Sequence, residues 1–588
     1  MCKMKPRINI LDLLVQRLKT LQEPCFGKLY GIFAKDTHFI LGLQLDNESD
    51  VSSRYSLPAE VDFCGIFEAY SGTIDIERAL GRCSKVEVTD NPIFLSVKLI
   101  VENDIQCNIV SNNKVVSSSS SIISIQDFYS QFVHIRLQGE FQINTEQNEE
   151  SISNSFTVLR KSVASAFGIS GIMAFTLTKQ NVMLVASDSE NGIIGLTGDP
   201  AFSELCQDEN GEGGQKKKKT EHFLGLEIVD ANLMKRVTKD HTSKELNGHS
   251  PVVIICKKRM AVLNIPIKID FLATISRGTT LSRIYDILLE CAIKNIKLYE
   301  SVVQYYIKKN PIEGNLQLPN TQHFFAKDCG HFVTRIVFAE SAEDLRKERE
   351  LLHDSLLLSK IMPMFRKSNQ FNFSDSKSGP LINVHEGLKP TNNAGKLALV
   401  KGNYEYYHYC QNRLDDNGWG CAYRSLQTLA SWYKLQGYTD QEVPTFKEIQ
   451  KCLVDVGDKP RSFIDSRQWI GSTEVSYVLN SLLGITSKIL YVSTGEDMAT
   501  KGPELVSHFE THGSPVMIGG GVLAHTILGV DYNQQTGNLK FLILDPHYTG
   551  GEDLNIIQGK GWCGWKGVEF WNKTAYYNMC LPLVPREV

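Results

Sequence analysis

Apolar residues recur at near-helical spacing in two informative stretches of this chain. In Cys421 to Lys434 they are Ala422, Leu426, Leu429, Ala430 and Trp432, which predicts an amphipathic helix opening at the cysteine. Leu281 to Lys308 contains no Gly or Pro, and its apolar stripe runs through Ile284, Ile287, Leu288, Cys291, Leu298 and Val302. One polar residue, Asn295, interrupts that stripe, which reads as core packing rather than a partner-binding face. Further helices are expected over Leu345 to Lys360, ending before Pro363, and over Thr445 to Val456. Ile8 to Glu23 alternates apolar and charged residues like an amphipathic helix. Leu29 to Leu45, Asn91 to Val101 and Val252 to Cys256 read as strands, and Pro515 to Gly521 as a buried strand ending in three glycines. Val522 to Asp531 and Asn538 to Asp545 read as a hairpin around Gln534-Gln535-Thr536-Gly537.

Polar, low-complexity segments break this pattern. Ser111 to Ser121, with five consecutive serines from Ser117, is expected to be a loop, and the acidic stretch Asn144 to Ser155 a loop or a boundary. Asp208 to Gln215, followed by four lysines, reads as a disordered charged loop. Arg366 to Gly395, rich in Ser, Asn and Gly with two prolines, reads as a linker. The expected organisation is an N-terminal α/β domain over 1–205, the charged loop over 206–222, a second α/β domain over 223–365, the linker over 366–395, and a last domain over 396–588. The fold class is α+β.

Composition narrows the function classes. The 588 residues are 42% hydrophobic and 22% charged, the balance of a soluble globular protein. A net charge of −4 spread over this length argues against nucleic acid as the main partner. No run of 18 or more apolar residues occurs, so no transmembrane helix or direct membrane insertion is expected. The basic start Met1 to Arg7 lacks the apolar core and cleavage site of a secretory signal. The 14 cysteines contain no Cys-x-x-Cys pair and read as reduced thiols, with no zinc site or cofactor expected.

The chemistry concentrates near the C-terminal end. In Gly418-Trp419-Gly420-Cys421 the cysteine starts a helix, where unpaired N–H groups and the positive dipole end favour a thiolate. Gly418 and Gly420 carry no Cβ, which would let a substrate backbone approach. Downstream, the apolar run Phe541 to Leu544 ends in Asp545-Pro546-His547. Residues i and i+2 of an extended chain point the same way, about 6.6 Å apart, so Asp545 could hold one imidazole nitrogen of His547 and leave the other for a thiol. His525, on the first strand of the expected hairpin, is the rival base, with Asp545 as its orienter. His547 is preferred, with His525 as a packed neighbour. Gly561 to Lys566 reads as a turn under the site or a rim of it, without chemistry.

Three segments together resemble the signature of the proteases specific for ubiquitin-fold modifier 1. They are Asn417 to Arg424, Gln468-Trp469-Ile470-Gly471-Ser472, and Asp545-Pro546-His547. The likeness covers roughly the last 190 residues, and the long N-terminal extension is similar to that of the longer members. It implies a papain-like domain whose catalytic residues are Cys421, Asp545 and His547, with a tyrosine before the cysteine helping to hold the oxyanion. That tyrosine falls on Tyr409, among Tyr404, Tyr406 and Tyr407. Trp419, Trp469 and Gly471 are the candidate substrate-binding residues, Trp469 and Gly471 as a narrow slot for the terminal glycine of the modifier. The implied partners are the modifier, its conjugates and a membrane adaptor at the cytosolic face of the endoplasmic reticulum. The first domain also loosely resembles a metal-free member of the MPN superfamily, because no His-x-His follows Phe63-Cys64-Gly65-Ile66-Phe67. Two other readings stay open: an autophagy-type cysteine protease, which also uses Asp-Pro-His, and an adaptor with a vestigial protease domain.

Overall fold

The computed structural model describes residues 7–46, 55–84, 92–100, 102–111, 114–146, 148–165, 173–186, 192–205, 226–235, 262–309, 318–338, 342–360, 363–373, 379–389, 391 and 393–585. They fall into two units, residues 1–358 and 359–588.

The first unit is built on strand pairing. An eight-stranded sheet takes in the hairpin Cys25–Ala34 and Thr37–Leu45, where the alternating pattern predicts strands. A six-stranded sheet centres on two 15-residue strands, Phe132–Glu146 and Val262–Ser276, paired antiparallel. The helix Leu281–Lys309 packs its apolar stripe into the core of this sheet, as its pattern predicts. Asn295, fully buried within the stripe, donates to the Asp270 carbonyl.

Several expectations for this unit are corrected. The proposed domain division at 206–222 does not separate two sheets, because Met173–Leu177 before it pairs with Ile228–Lys235 after it. Ordering between residues so far apart leaves no local mark. Within Asn144 to Ser155, expected as a loop or a boundary, the described residues are the end of a strand and the start of the helix Glu149–Ser165, anchored by buried Ile152, Phe156 and Val163. The serine-rich stretch holds the strands Lys114–Ser117 and Ser120–Ile123, mostly exposed and secured by backbone pairing rather than by apolar side chains. Ile8 to Leu11 is a strand, and the expected N-terminal helix begins only at Asp12. The charged loop 208–219 and the expected strand Val252 to Cys256 lie outside the described residues.

The second unit is a seven-stranded antiparallel sheet covered on both faces. Its strands are β1 (Lys396–Leu399), β2 (Ser487–Val492), β3 (Val516–Gly520), β4 (Leu523–Tyr532), β5 (Leu539–Leu544), β6 (Cys563–Gly567) and β7 (Tyr577–Pro582). They lie in the order β2-β7-β3-β4-β5-β6, with β1 paired to β4. Period-two alternation sorts the side chains. Met517, Ala524, Leu542 and Leu544 pack with helices α1 (Cys421–Leu435), α2 (Phe446–Asp455) and α3 (Ser472–Leu483). Val516, Ile518, Ile527, Phe541 and Ile543 pack with α4 (Gly502–Thr511) in a second cluster. The helix α1 is buried along almost its whole length, each large apolar side chain contributing about 1.5–3 kcal/mol.

Two further expectations fail here. The stretch 379–395 is not a free linker. Val384 is fully buried in the α1 cluster, and Gln558 donates to the Val384 and Glu386 carbonyls. Asn393 donates to the Asp531 carbonyl at 2.9 Å. Gly561 to Lys566 is not only a turn, since Cys563 to Lys566 belong to β6 and pair with β5.

Candidate active site

Cys421 is the first residue of α1 and is partly exposed. Gly420 precedes it and offers no side chain to cap the helix, so the first N–H groups stay available. A buried ion pair sets the position of this turn. Arg424 Nε donates to Asp416 Oδ2 at 2.7 Å, and both side chains are completely buried. Asp416 Oδ1 accepts from the Cys410 N–H at 2.7 Å, and the Asp416 carbonyl accepts from the Trp419 and Gly420 N–H groups. Arg424 also reaches the Gln411 carbonyl and Gln427. One carboxylate therefore joins the tyrosine-rich segment to the turn before the thiol. Losing either partner would strand the other as a buried charge, at about 3–5 kcal/mol.

Gly420 serves this pair. A Cβ there would lie 2.6 Å from Asp416 Oδ2, so the glycine permits the carboxylate to approach. Gly418 has φ +81°, the left-handed region that glycine enters without strain, with open space around it.

Asp545 and His547 follow β5. The Asp545 N–H donates to the Trp562 carbonyl, and Asp545 Oδ1 accepts from both the His547 backbone at 3.0 Å and His547 Nδ1 at 2.5 Å. Proline between them leaves no competing N–H. His547 Nε2 is buried and lacks a partner of standard hydrogen-bond geometry. The Cys421 sulfur is nonetheless close enough to act on this ring. Such proton-transfer pairs are often loose before substrate arrives.

The electrostatics favour a charged pair. Burial alone would lower the pKa of His547, but Asp545 and Cys421 outweigh it and raise the ring to about 9. Burial alone would raise that of Cys421, but His547, the Ala524 backbone and the Tyr409 hydroxyl outweigh it and hold the thiol below its ordinary value. Asp545 is lowered too: His547 and His525 overcome the cost of burial. Thiolate, imidazolium and carboxylate thus support one another.

The four tyrosines separate by their partners. Tyr404 Oη lies 2.9 Å from His385 Nδ1, Tyr406 donates to the Asp545 carbonyl at 2.5 Å, and Tyr407 donates to Glu405 at 2.8 Å. Tyr409 alone of the four has its hydroxyl at the Cys421 sulfur and the Cys421 N–H. Burial, then the neighbouring thiol, pushes its phenol well up, so it remains a donor. Its N–H bonds the Pro546 carbonyl at 3.0 Å, and its ring meets His547 edge-on at 5.3 Å.

His525 lies elsewhere on the pleat. Alternation turns Ala524 toward α1 and His525 toward Phe570 and Trp571. Its Nε2 is 3.9 Å from Asp545 Oδ2, and burial lowers its pKa to about 4, so it is neutral. His525, Asp545 and His547 bring three potential ligand atoms within 4.8 Å of one another. The 2.5 Å separation of Asp545 Oδ1 and His547 Nδ1 suits a shared proton. Two ligands of one tetrahedral metal would stand roughly 3.4 Å apart.

Trp469 is half exposed, and its Nε1 donates to the Gly418 carbonyl at 3.3 Å. Trp419 is half buried, edge-on to Tyr423 and Phe446. Gly471 precedes α3, its N–H bonded to Glu474, and a Cβ there would meet only Glu474 Oε2, at 3.3 Å. Tyr423 donates to the Gln468 carbonyl at 2.9 Å and ties this loop to α1. The Asp416–Arg424 pair and the Ala524 N–H were not foreseen from the sequence. The acid five residues before the cysteine and the base three after it were the available signal for the pair.

Residues 395–580 match the model for peptidase family C78. Residues 4–128 match the insect UFM1-specific protease N-terminal MPN-like domain, and 153–378 match the N-terminal region of ubiquitin-fold modifier 1 specific protease 2. The "Probable Ufm1-specific protease 2" of Drosophila melanogaster is 36% identical over 99% of this chain and all of that protein. The human Ufm1-specific protease 2 is 46% identical over 62% of this chain and 76% of its own length. The crystal structure of UfSP from C. elegans, at 22% identity, superposes over 99% of this chain and all of that one with a TM-score of 0.66, which shows a shared fold.

Proposed function

The chain belongs to the Ufm1-specific protease 2 family, with a peptidase family C78 domain at its C-terminal end, and on that premise we propose that it matures the ubiquitin-fold modifier 1 precursor and releases the modifier from conjugates. The observation that carries this reading is the lowered Cys421 thiol beside the raised His547, held by Asp545. Cys421 thiolate attacks the carbonyl carbon of the modifier's terminal glycine. Tyr409 O–H and the Cys421 N–H stabilise the oxyanion. The C–N bond then breaks, and His547 gives its proton to the leaving amine. Water, losing a proton to His547, attacks the thioester, and the modifier leaves with a free carboxylate while the thiol is restored. Trp469 and Gly471 border the channel for the terminal glycine, with Trp419 behind them.

The first unit is the recruitment device in this proposal, docking on a membrane adaptor at the cytosolic face of the endoplasmic reticulum. Among the described residues no helix is long and apolar enough to cross a membrane. Precursor cleavage by the full chain and by Cys421→Ser tests the reaction. Trimming by the wild type and none by the variant supports it, and residual trimming by the variant overturns the role of Cys421.

A further inference from the structure

The loop joining β3 to β4 works against its own backbone preference. Gly520 pairs with Leu523, so Gly521 and Val522 form the whole turn. Their φ angles are +56° and +72°. Positive φ at both positions is the pattern of a type I′ hairpin, which favours Asn and Gly. Gly521 suits it. Val522 is β-branched, and in the left-handed region its side chain crowds the backbone. No packing offsets that strain, because Val522 is 71% exposed and Leu523 beside it 49%. Strain retained for an exposed apolar side chain points to contact with something outside the fold.

The tip borders the thiol. Ala524, next after Leu523, is the residue whose backbone holds the Cys421 sulfur. On the other side the Tyr576 carbonyl presses against Gly520, where a Cβ would lie 2.3 Å away. Tyr576 stacks on Tyr491 at 6.4 Å, and both are about half exposed. Leu523 and Val522 at the tip, and Tyr576 and Tyr491 beside it, are thus exposed apolar and aromatic side chains on the margin next to the cysteine.

We propose that this margin docks an apolar face of the folded body of the modifier while its C-terminal tail reaches Cys421. The inference rests on the protease reading above. A substrate acylating Cys421 must bring its terminal carbonyl to the sulfur. Its tail advances about 3.3 Å per extended residue, so the folded body lies on the surface within the tail's reach of the thiol, which includes this margin. That geometry selects the modifier, rather than a second copy of this chain, as the occupant.

The test is Val522→Asn in the full chain, with Tyr576→Ser as a second variant. Three quantities are measured: KM and kcat on the modifier precursor, the unfolding temperature, and the iodoacetamide alkylation rate of Cys421 by peptide mapping. Asparagine suits the turn, so Val522→Asn should unfold at the wild-type temperature or above it. Alkylation should be unchanged. KM should rise about tenfold for loss of one buried apolar contact, with kcat within about twofold of wild type. Tyr576→Ser should raise KM likewise. An unchanged KM in both variants overturns the proposal. So does slower alkylation with a lower unfolding temperature, which would make the tip a support of the site. If the wild type leaves the precursor uncut, the protease reading itself fails, a result distinct from either of these.

Discussion

Replacing Tyr409 by Phe isolates one hydroxyl. The ring keeps its edge-on contact with His547, and the backbone N–H keeps its bond to the Pro546 carbonyl. What disappears is the O–H that lies at the Cys421 sulfur and N–H. If that donor holds the oxyanion, its loss costs about 10²–10³ in kcat, or roughly 2.7–4 kcal/mol. KM should move little, because the ground-state carbonyl needs the donor less. The same hydroxyl helps hold the thiol pKa down, so the pH at which Cys421 begins to alkylate should also shift upward. The assay is steady-state cleavage of the modifier precursor alongside a pH series of iodoacetamide labelling. Tyr406→Phe is the control: it loses its bond to the Asp545 carbonyl, at about 0.5–1.5 kcal/mol of stability, and leaves the thiol's hydroxyl in place. Wild-type kcat and an unshifted alkylation profile in Tyr409→Phe would refute the reasoning, leaving backbone N–H groups alone to form the oxyanion site.

His547→Ala should lower kcat as far as loss of Cys421 does, while His525→Ala should cost stability and a modest part of the rate; the reverse ranking in precursor cleavage would make His525 the base. The pKa of His547 is raised from its unfolded value to about 9, so the stability and proton-donating power of the imidazolium are fully present below the unfolded pKa, near 6.5, and are lost as pH rises through about 9. The kcat/KM profile should therefore fall on an alkaline limb near pH 9, and an alkaline limb near pH 4 in its place would assign the proton to His525. A fragment beginning at residue 359 should unfold at a higher temperature than one beginning at 396, because the shorter one loses buried Val384, worth about 1.5–3 kcal/mol, and the Asn393 bond to Asp531. Equal unfolding temperatures would mean that 379–395 contributes nothing to the second unit.

The helix at Cys421 was legible because its apolar period, its glycine start and its length agree, and β3 to β5 because they are short apolar runs between turns. The serine-rich strands were not legible, since Ser120–Ile123 is exposed and held by pairing with Arg7–Leu11. The sheet that spans 206–222 depends on partners far apart in the chain. Residues 379–395 look like a linker because few apolar side chains, buried Val384 with half-buried Leu381 and Leu388, hold them together with polar bonds such as those of Asn393 and Gln558. At the site, the contact between Asp545 and His547 was readable from Asp-Pro-His. The resemblance, not the local pattern, placed the tyrosine at Tyr409 among four within six residues; in the structure the other three hydroxyls have partners elsewhere. The Asp416–Arg424 pair is a tertiary contact across the nucleophile, hidden in a stretch whose glycines draw attention first.

In the reaction proposed above, Cys421 is the nucleophile of a protease that reads ubiquitin-fold modifier 1. The most direct measurement treats the full chain with that modifier carrying an electrophile in place of its terminal glycine carboxylate, followed by intact-mass analysis and peptide mapping. A single adduct on Cys421 is predicted, absent in Cys421→Ser and absent with an equivalent ubiquitin probe. An adduct on another cysteine, such as exposed Cys410, or equal labelling by the ubiquitin probe, would contradict the account.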